Sequence, residues 1–362
     1  MVQKADGQNY APKGEVKRVC AENSFFVGVI GLDHGHIYGM CNGLVEAGAT
    51  LSLVFDIDDD KVNAFIATFP GVKRAQNVEE ILGNPQISLV ASASIPNERA
   101  DIGLQAMEHG KDYFTDKPPC TTMEQVKAIR ECVKRTGRKY FVYYSERLHV
   151  EGTLYAQKLV EEGAIGKVVH VMGVGPHRAS VSSRPEWFFD KSRYGGILVD
   201  IGCHQIEQIL TFAATSDATI NYSRTENFNH PQYSDFEDFG EITLTCDNGV
   251  SGYCRLDWFT PDGLGAWGDG RVTIIGTKGY IEVRKYIDVA QSAQGDWVYL
   301  VNDEGEQRIH ATGKVGFPFF GQLILDCINR SETAMTQEHA LRAIEIAIEA
   351  QMNATKNTTQ KE

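Results

Sequence analysis

The chain has 362 residues, 42% of them apolar, and a formal net charge of -13 at pH 7. A length above the ~250–300 residues at which single cores stop growing argues for two domains, and the apolar fraction argues against global disorder. The negative balance, with no dense run of Lys or Arg, argues against nucleic acid and membrane surfaces as partners, and no apolar run approaches the ~18 residues of a membrane span.

In chain order, residues 1–22 read as a polar arm with no apolar stretch of the kind a secretory signal needs. Residues 23–146 then alternate short apolar runs with helical patterns, the signature of a parallel sheet. Val27–Gly31 reads as the first strand and Gly35–Gly48 as a helix with Ile37, Met40, Cys41, Leu44 and Val45 on one face. Leu51–Asp56 reads as the second strand, Lys73–Gln76 as a short third, Ile87–Ser94 as the fourth, Tyr113–Asp116 as the fifth and Lys139–Tyr144 as the sixth. Helices are expected over Asn97–Gly110 and Thr121–Thr136. This is the grammar of a doubly wound α/β fold.

After residue 146 the grammar changes. Residues 147–318 open with a helix over Val150–Glu162 and then read as strands: Val168–Val174, Ala218–Arg224, Glu241–Cys246, Ser251–Trp258, Val272–Gly276, Tyr280–Arg284 and Trp297–Val301. Turns such as Asp247-Asn248-Gly249 favour antiparallel hairpins. One helix, Asp200–Ala213, interrupts the strands. Residues 319–353 read as two terminal helices and 354–362 as a tail. An open sheet with apolar content on both faces needs covering, so a homodimer or homotetramer built on it is expected. The eight cysteines are scattered without a CxxC pair, read as reduced and buried, and make the cytoplasm the expected compartment.

The first strand runs into Gly31-Leu32-Asp33-His34-Gly35-His36, and Asp56 ends the second strand near the roughly 20-residue offset of a ribose-binding carboxylate. Strand, turn, helix, strand and acid are the context of a dinucleotide site, with the pyrophosphate at the helix N-terminus. The turn departs from G-x-G-x-x-G, with Asp33 and His36 where the later glycines would stand. Asp33 is expected to turn away and cap the helix, leaving His34 or His36 to donate to a phosphate oxygen. The two imidazoles could also share a metal ion, but no third ligand stands at a telling spacing and none is expected. The acids of Asp56-Ile57-Asp58-Asp59-Asp60, with no Arg beside them, favour NAD over NADP.

Three further segments follow in order: Ser94-Ile95-Pro96-Asn97, Gly110 to Pro119 containing Asp116-Lys117-Pro118, and Tyr194 to His204. With the glycine turn they resemble the glucose–fructose oxidoreductase, inositol dehydrogenase and rhizopine catabolism (Gfo/Idh/MocA) family from about Phe26 to Gln351. The resemblance implies a Rossmann domain, then an α+β domain with a large open, mostly antiparallel sheet, and terminal helices packed back near the first domain. It implies that Lys117 matches the lysine of the E-K-P motif, here with Asp116 for Glu, and that Asp200 and His204 match the D-x-x-x-H pair. The chain departs from T-P-N-x-x-H, with Ala100 at the histidine position and Arg99 before it.

The residue chemistry agrees with that set. Alcohol oxidation needs a base, and histidine suits it. His204 stands four residues after Asp200, which on one helix puts both on one face. Lys117 follows a strand end, where a cation can stabilise a developing alkoxide. The Lys117–Pro118 bond is a candidate cis peptide. His177, Arg178, Arg184, Trp187, Tyr194 and Trp258 are candidates for substrate contacts, with Trp187 and Tyr194 preferred. The expected function is NAD-dependent hydride transfer to or from a polyol, sugar or sugar derivative. NAD-assisted glycoside cleavage and a non-catalytic NAD-binding sensor are the alternatives.

Overall fold

A computed structural model of the chain describes residues 14–356, so the first part of the polar arm and the end of the tail lie outside the described residues. The chain divides into two compact units. Of the described residues, one unit comprises 14–143 with Gly316–Leu341; the other comprises Tyr144–Val315 and 342–356.

The first unit is built on a six-stranded parallel sheet of β1 (Phe26–Ile30), β2 (Thr50–Phe55), β3 (Lys73–Arg74), β4 (Ile87–Ser92), β5 (Asp112–Asp116) and β6 (Tyr140–Tyr143). The spatial order β3-β2-β1-β4-β5-β6 is that of a Rossmann sheet, with its reversal between β1 and β4. Strands β4, β5 and β6 are buried almost throughout, which is why each reads as an apolar run rather than an alternation. Helix Met123–Thr136 is capped by Thr122 and ends at left-handed Gly137. Helix Pro318–Asn329 belongs to the same unit. Its Phe320 fills the space left at Gly43, where a Cβ would stand 2.4 Å from the ring. Its Phe319 lies 5.8 Å from the Phe114 ring. Part of the expected arm is packed as well: the Val19 amide donates to Ala47, and Glu15 accepts from the Phe317 amide.

The second unit holds an eight-stranded sheet in the order β14-β13-β12-β11-β7-β10-β9-β8. Its strands are β7 (Val168–Pro176), β8 (Ala218–Glu226), β9 (Phe239–Cys246), β10 (Ser251–Asp257), β11 (Arg271–Gly276), β12 (Gly279–Arg284), β13 (Trp297–Asn302) and β14 (Gly305–His310). Only β7 and β10 pair in parallel. One face is covered by helices Glu151–Glu161 and Gly202–Ala213, so the inward positions of β9 to β12 are buried and alternate with half-exposed ones. Two sequence expectations fail here. Strand β14 is missing from the strands expected from sequence, because Gly305-Glu306-Gln307-Arg308 is exposed on both faces of an edge strand and carries no apolar signal. The expected helix Asp200–Ala213 is two helices, Ile197–Asp200 and Gly202–Ala213, with the break at Ile201. Among the described residues, no helix is long and apolar enough to cross a membrane.

Candidate functional site

In the parallel-sheet unit the candidate residues follow the carboxyl ends of β1, β2, β4 and β5. That edge carries the switch point between β1 and β4, where open α/β sheets bind ligands. Gly31 is required twice over. Its φ is +81°, and a Cβ there would stand 2.6 Å from Cβ of Ser94. The Leu32 amide donates to Asp56 Oδ2 at 2.7 Å and the Asp58 amide to Oδ1 at 2.9 Å. These two bonds fix the Asp56 carboxylate at the end of β2 and leave it lone pairs for hydroxyl donors. Ile57 beside it is 92% exposed, an apolar surface with nothing packed on it.

Asp33 does not cap the following helix. It pairs with Lys61 at 2.6 Å, while Gly35 takes the N-cap position with no side-chain cap. Asp33 lies two residues ahead of the cap, too early to reach the first-turn amides. The pairing neutralises a carboxylate that would repel a pyrophosphate, and the first turn of His36–Glu46 carries no acidic side chain, its His36 amide donating to His34 Nδ1 at 3.3 Å. Asn97 Oδ1 is buried with no hydrogen-bond partner among the described residues, an acceptor that fits a ligand donor. Ser94 and Ile95 are buried alongside. These features fit a dinucleotide. The expectation of no Arg near Asp56 needs correcting: Arg74 of β3 pairs with Asp59 at 2.6 Å, brought there by strand pairing rather than by sequence proximity.

Asp116 organises the rest of this edge. The fully buried carboxylate accepts from the His36 imidazole (2.8 Å) and the Lys117 amide (2.8 Å) on Oδ1 and from Arg99 (3.1 Å) on Oδ2, with His34 Nδ1 3.2 Å from Oδ2. Burial opposes its charge, but His36 and then Arg99 hold the carboxyl well below the usual range. Burial, followed by His36, depresses His34 well below an ordinary imidazole and outweighs the pull of Asp116, so His34 is neutral at physiological pH. His34, His36 and Asp116 offer ligand atoms within 4.8 Å of one another, so a third metal-type ligand does exist, contributed from far along the chain. Asp116 already accepts from His36, the Lys117 amide and Arg99, which makes the cluster a hydrogen-bonded anchor.

Arg99 is the residue that sequence reasoning passed over. Fully buried, it also donates to the carbonyls of Ser94 (2.7 Å) and Pro118 (3.0 Å), joining the loop after β4 to the one after β5. The signal was available in the paired departures, Arg99 ahead of Ala100 and Asp116 in place of Glu. Lys117 follows this anchor directly, is 5% exposed, and precedes Pro118 through a cis peptide bond.

In the second unit, His204 is buried near the start of Gly202–Ala213. Asp200 ends the preceding short helix and is half-buried. The His204 amide bonds to Ile201 (3.2 Å) and the Asp200 carbonyl accepts from Cys203 Sγ (3.5 Å). The continuous helix expected to set both side chains one turn apart is therefore absent. Asp200 instead lies close enough to Tyr194 to add to the upward shift of its phenol, which burial dominates.

The substrate candidates separate. The hydroxyl of Tyr194, 1% exposed, accepts from the Glu237 amide (3.1 Å). Arg178 donates to the carbonyls of Pro261, Leu264 and Ala266, and Arg184 to that of Ala179. Trp258 is buried against Phe188. These four hold the loops together. Trp187 and His177 are half-buried, and His177 lies 4.5 Å from the Trp267 ring.

Residues 25–144 match the family described as an oxidoreductase family with an NAD-binding Rossmann fold, and residues 153–282 match the GFO/IDH/MocA C-terminal domain. A crystal structure described as an oxidoreductase from Erwinia carotovora atroseptica is 48% identical, with a TM-score of 0.90 over 92% of this chain and 100% of that one. The scyllo-inositol 2-dehydrogenase (NAD(+)) of Bacillus subtilis is 24% identical over 77% of this chain and 78% of its own. The D-xylose dehydrogenase of Paenarthrobacter nicotinovorans is 27% identical over 35% of this chain, and the match spans 34% of that protein.

Proposed function

The chain belongs to the Gfo/Idh/MocA family of oxidoreductases, and on that premise we propose that it transfers a hydride between NAD and an alcohol carbon of a sugar or polyol. The observation that carries this reading is the anchored loop after β5, where Asp116, fixed by Arg99 and His36, sets Lys117 at the ligand-binding edge of the sheet. Gly31 to His36, Asp56, Ile57, Ser94, Ile95 and Asn97 would hold the cofactor. When bound, the nicotinamide supplies the hydride acceptor. His204 takes the hydroxyl proton, Lys117 holds the same oxygen as its charge grows, and Asp200 orients a neighbouring hydroxyl. Trp187 and His177 offer faces and a polar tip to the sugar. The eight cysteines are scattered along the chain and seven of them are buried, which supports a reducing compartment, the cytoplasm.

The test is absorbance at 340 nm with NAD and a panel of aldoses and cyclitols, D-xylose and scyllo-inositol among them. Net NADH formation from at least one is expected. Cofactor binding without turnover of any member would favour the sensor reading. The dehydrogenase names of the relatives weigh against glycoside cleavage.

The cofactor preference is also open to direct measurement. Lys61 and Arg74 are each paired with a carboxylate, so neither offers an unmatched charge to a 2′-phosphate. Calorimetric titration should find NAD tighter than NADP by at least about tenfold, about 1.4 kcal/mol. Asp56→Ala should narrow the gap. Tighter NADP binding would overturn the assignment.

A further inference from the structure

Glu146, in the short helix Ser145–Leu148, is 3% exposed. Its Oε2 accepts from Lys285 Nζ at 2.7 Å and from Gln205 Nε2 at 2.8 Å, and Lys285 is itself fully buried. Gln205 is the residue after His204. It fits because β7 carries Gly173, where a Cβ would stand 2.4 Å from Gln205 Oε1. Gln208 Nε2 donates to the His204 carbonyl at 2.9 Å, and the Tyr144 ring stands edge-on to the imidazole at 6.2 Å. Glu146 Oε1 is buried and accepts no hydrogen bond among the described residues. So buried an ion pair adds little net stability, because desolvation of both charges offsets their attraction. Packing alone leaves the second oxygen of this carboxylate without a use.

We propose that Glu146 is a positioning residue for His204: fixed by Lys285 and tied to the His204 helix through Gln205, its carboxylate stabilises the cation the imidazole becomes on taking a proton. The proposal rests on His204 being the proton acceptor. Burial opposes the charge of Glu146, and Lys285, then His204 and His177, overcome it, so the carboxyl ionises far below the usual range. This coupling is mutual: a carboxylate favoured by an imidazolium favours that imidazolium in return. The remaining charges are balanced, since Glu207 faces Lys285 and is itself paired with Arg147.

The test needs no substrate. Protein labelled with carbon-13 at histidine Cε1 is titrated by NMR from about pH 5 to 9, across the histidine range, with the His204 signal identified by its loss in His204→Gln. In Glu146→Gln the His204 midpoint should fall by about one unit or more, while Glu146→Asp keeps it near the native value. Should Glu146→Gln fail to fold, Glu146→Gln with Lys285→Met removes the stranded cation, and its midpoint should still lie below native. A midpoint unchanged in every folded charge-removing variant overturns the proposal, as does a native His204 that never protonates in this range. A shifted midpoint in a protein that oxidises no sugar or polyol would leave the coupling standing and defeat the functional reading instead.

Discussion

His204→Gln should lower kcat by roughly 10²–10⁴-fold on a true substrate while leaving NAD affinity nearly unchanged. The expectation follows from what an alcohol needs in order to lose a hydride. The hydroxyl proton must leave with it, and a neutral imidazole is the group best matched to accept that proton near neutral pH. His204 is 2% exposed, so bulk water is a poor substitute at its position. Glutamine keeps the bulk and one hydrogen-bonding atom but cannot take up a proton, so the loss should fall on kcat and kcat/KM together. Full turnover in this variant, with the native fold intact by circular dichroism, would remove His204 from the mechanism.

Lys117→Met should cost a comparable factor, about 10²–10³-fold in kcat, through lost stabilisation of the developing alkoxide. Methionine keeps the unbranched stem, so the 5%-exposed position stays packed and the effect isolates the ammonium. The surroundings make the prediction sharp. Asp116 already has the Lys117 amide and Arg99 as partners, so the anchor survives loss of the side-chain charge. The lysine charge also helps depress His34, after burial and His36, so its removal should let His34 protonate at somewhat higher pH. A variant that loses NAD affinity but not kcat would reassign Lys117 to cofactor binding alone.

The parallel sheet was legible because strands buried on both faces become unmistakable apolar runs, as in Ile87–Ser92 and Tyr140–Tyr143. β3 was recoverable only from its spacing, since Lys73 and Arg74 are both exposed. The antiparallel sheet was legible in its central strands and not at its β14 edge, where no burial imprints a pattern. The break at Ile201 was marked only by Gly202, and a lone glycine inside an apolar helical pattern is too weak a signal to place it. Gly31 and Asp56 could be located because their roles are local to a turn and a strand end. The clamp of Arg99 on Asp116 and the Glu146–Lys285 pair could not, since buried charge partners come from distant segments and leave no period in the chain. Tyr194 and Arg178 looked like substrate contacts because a polar tip on a large side chain reads the same whether it meets a sugar or a backbone carbonyl.

The most direct measurement is a crystal structure of the ternary complex with NAD and the panel member turned over fastest. Lys117 Nζ and a ring nitrogen of His204 should both lie about 3 Å from the oxygen on the reacting carbon, in front of the nicotinamide ring. If the two nitrogens reach separate regions of the substrate, the proposed division of labour between them is contradicted.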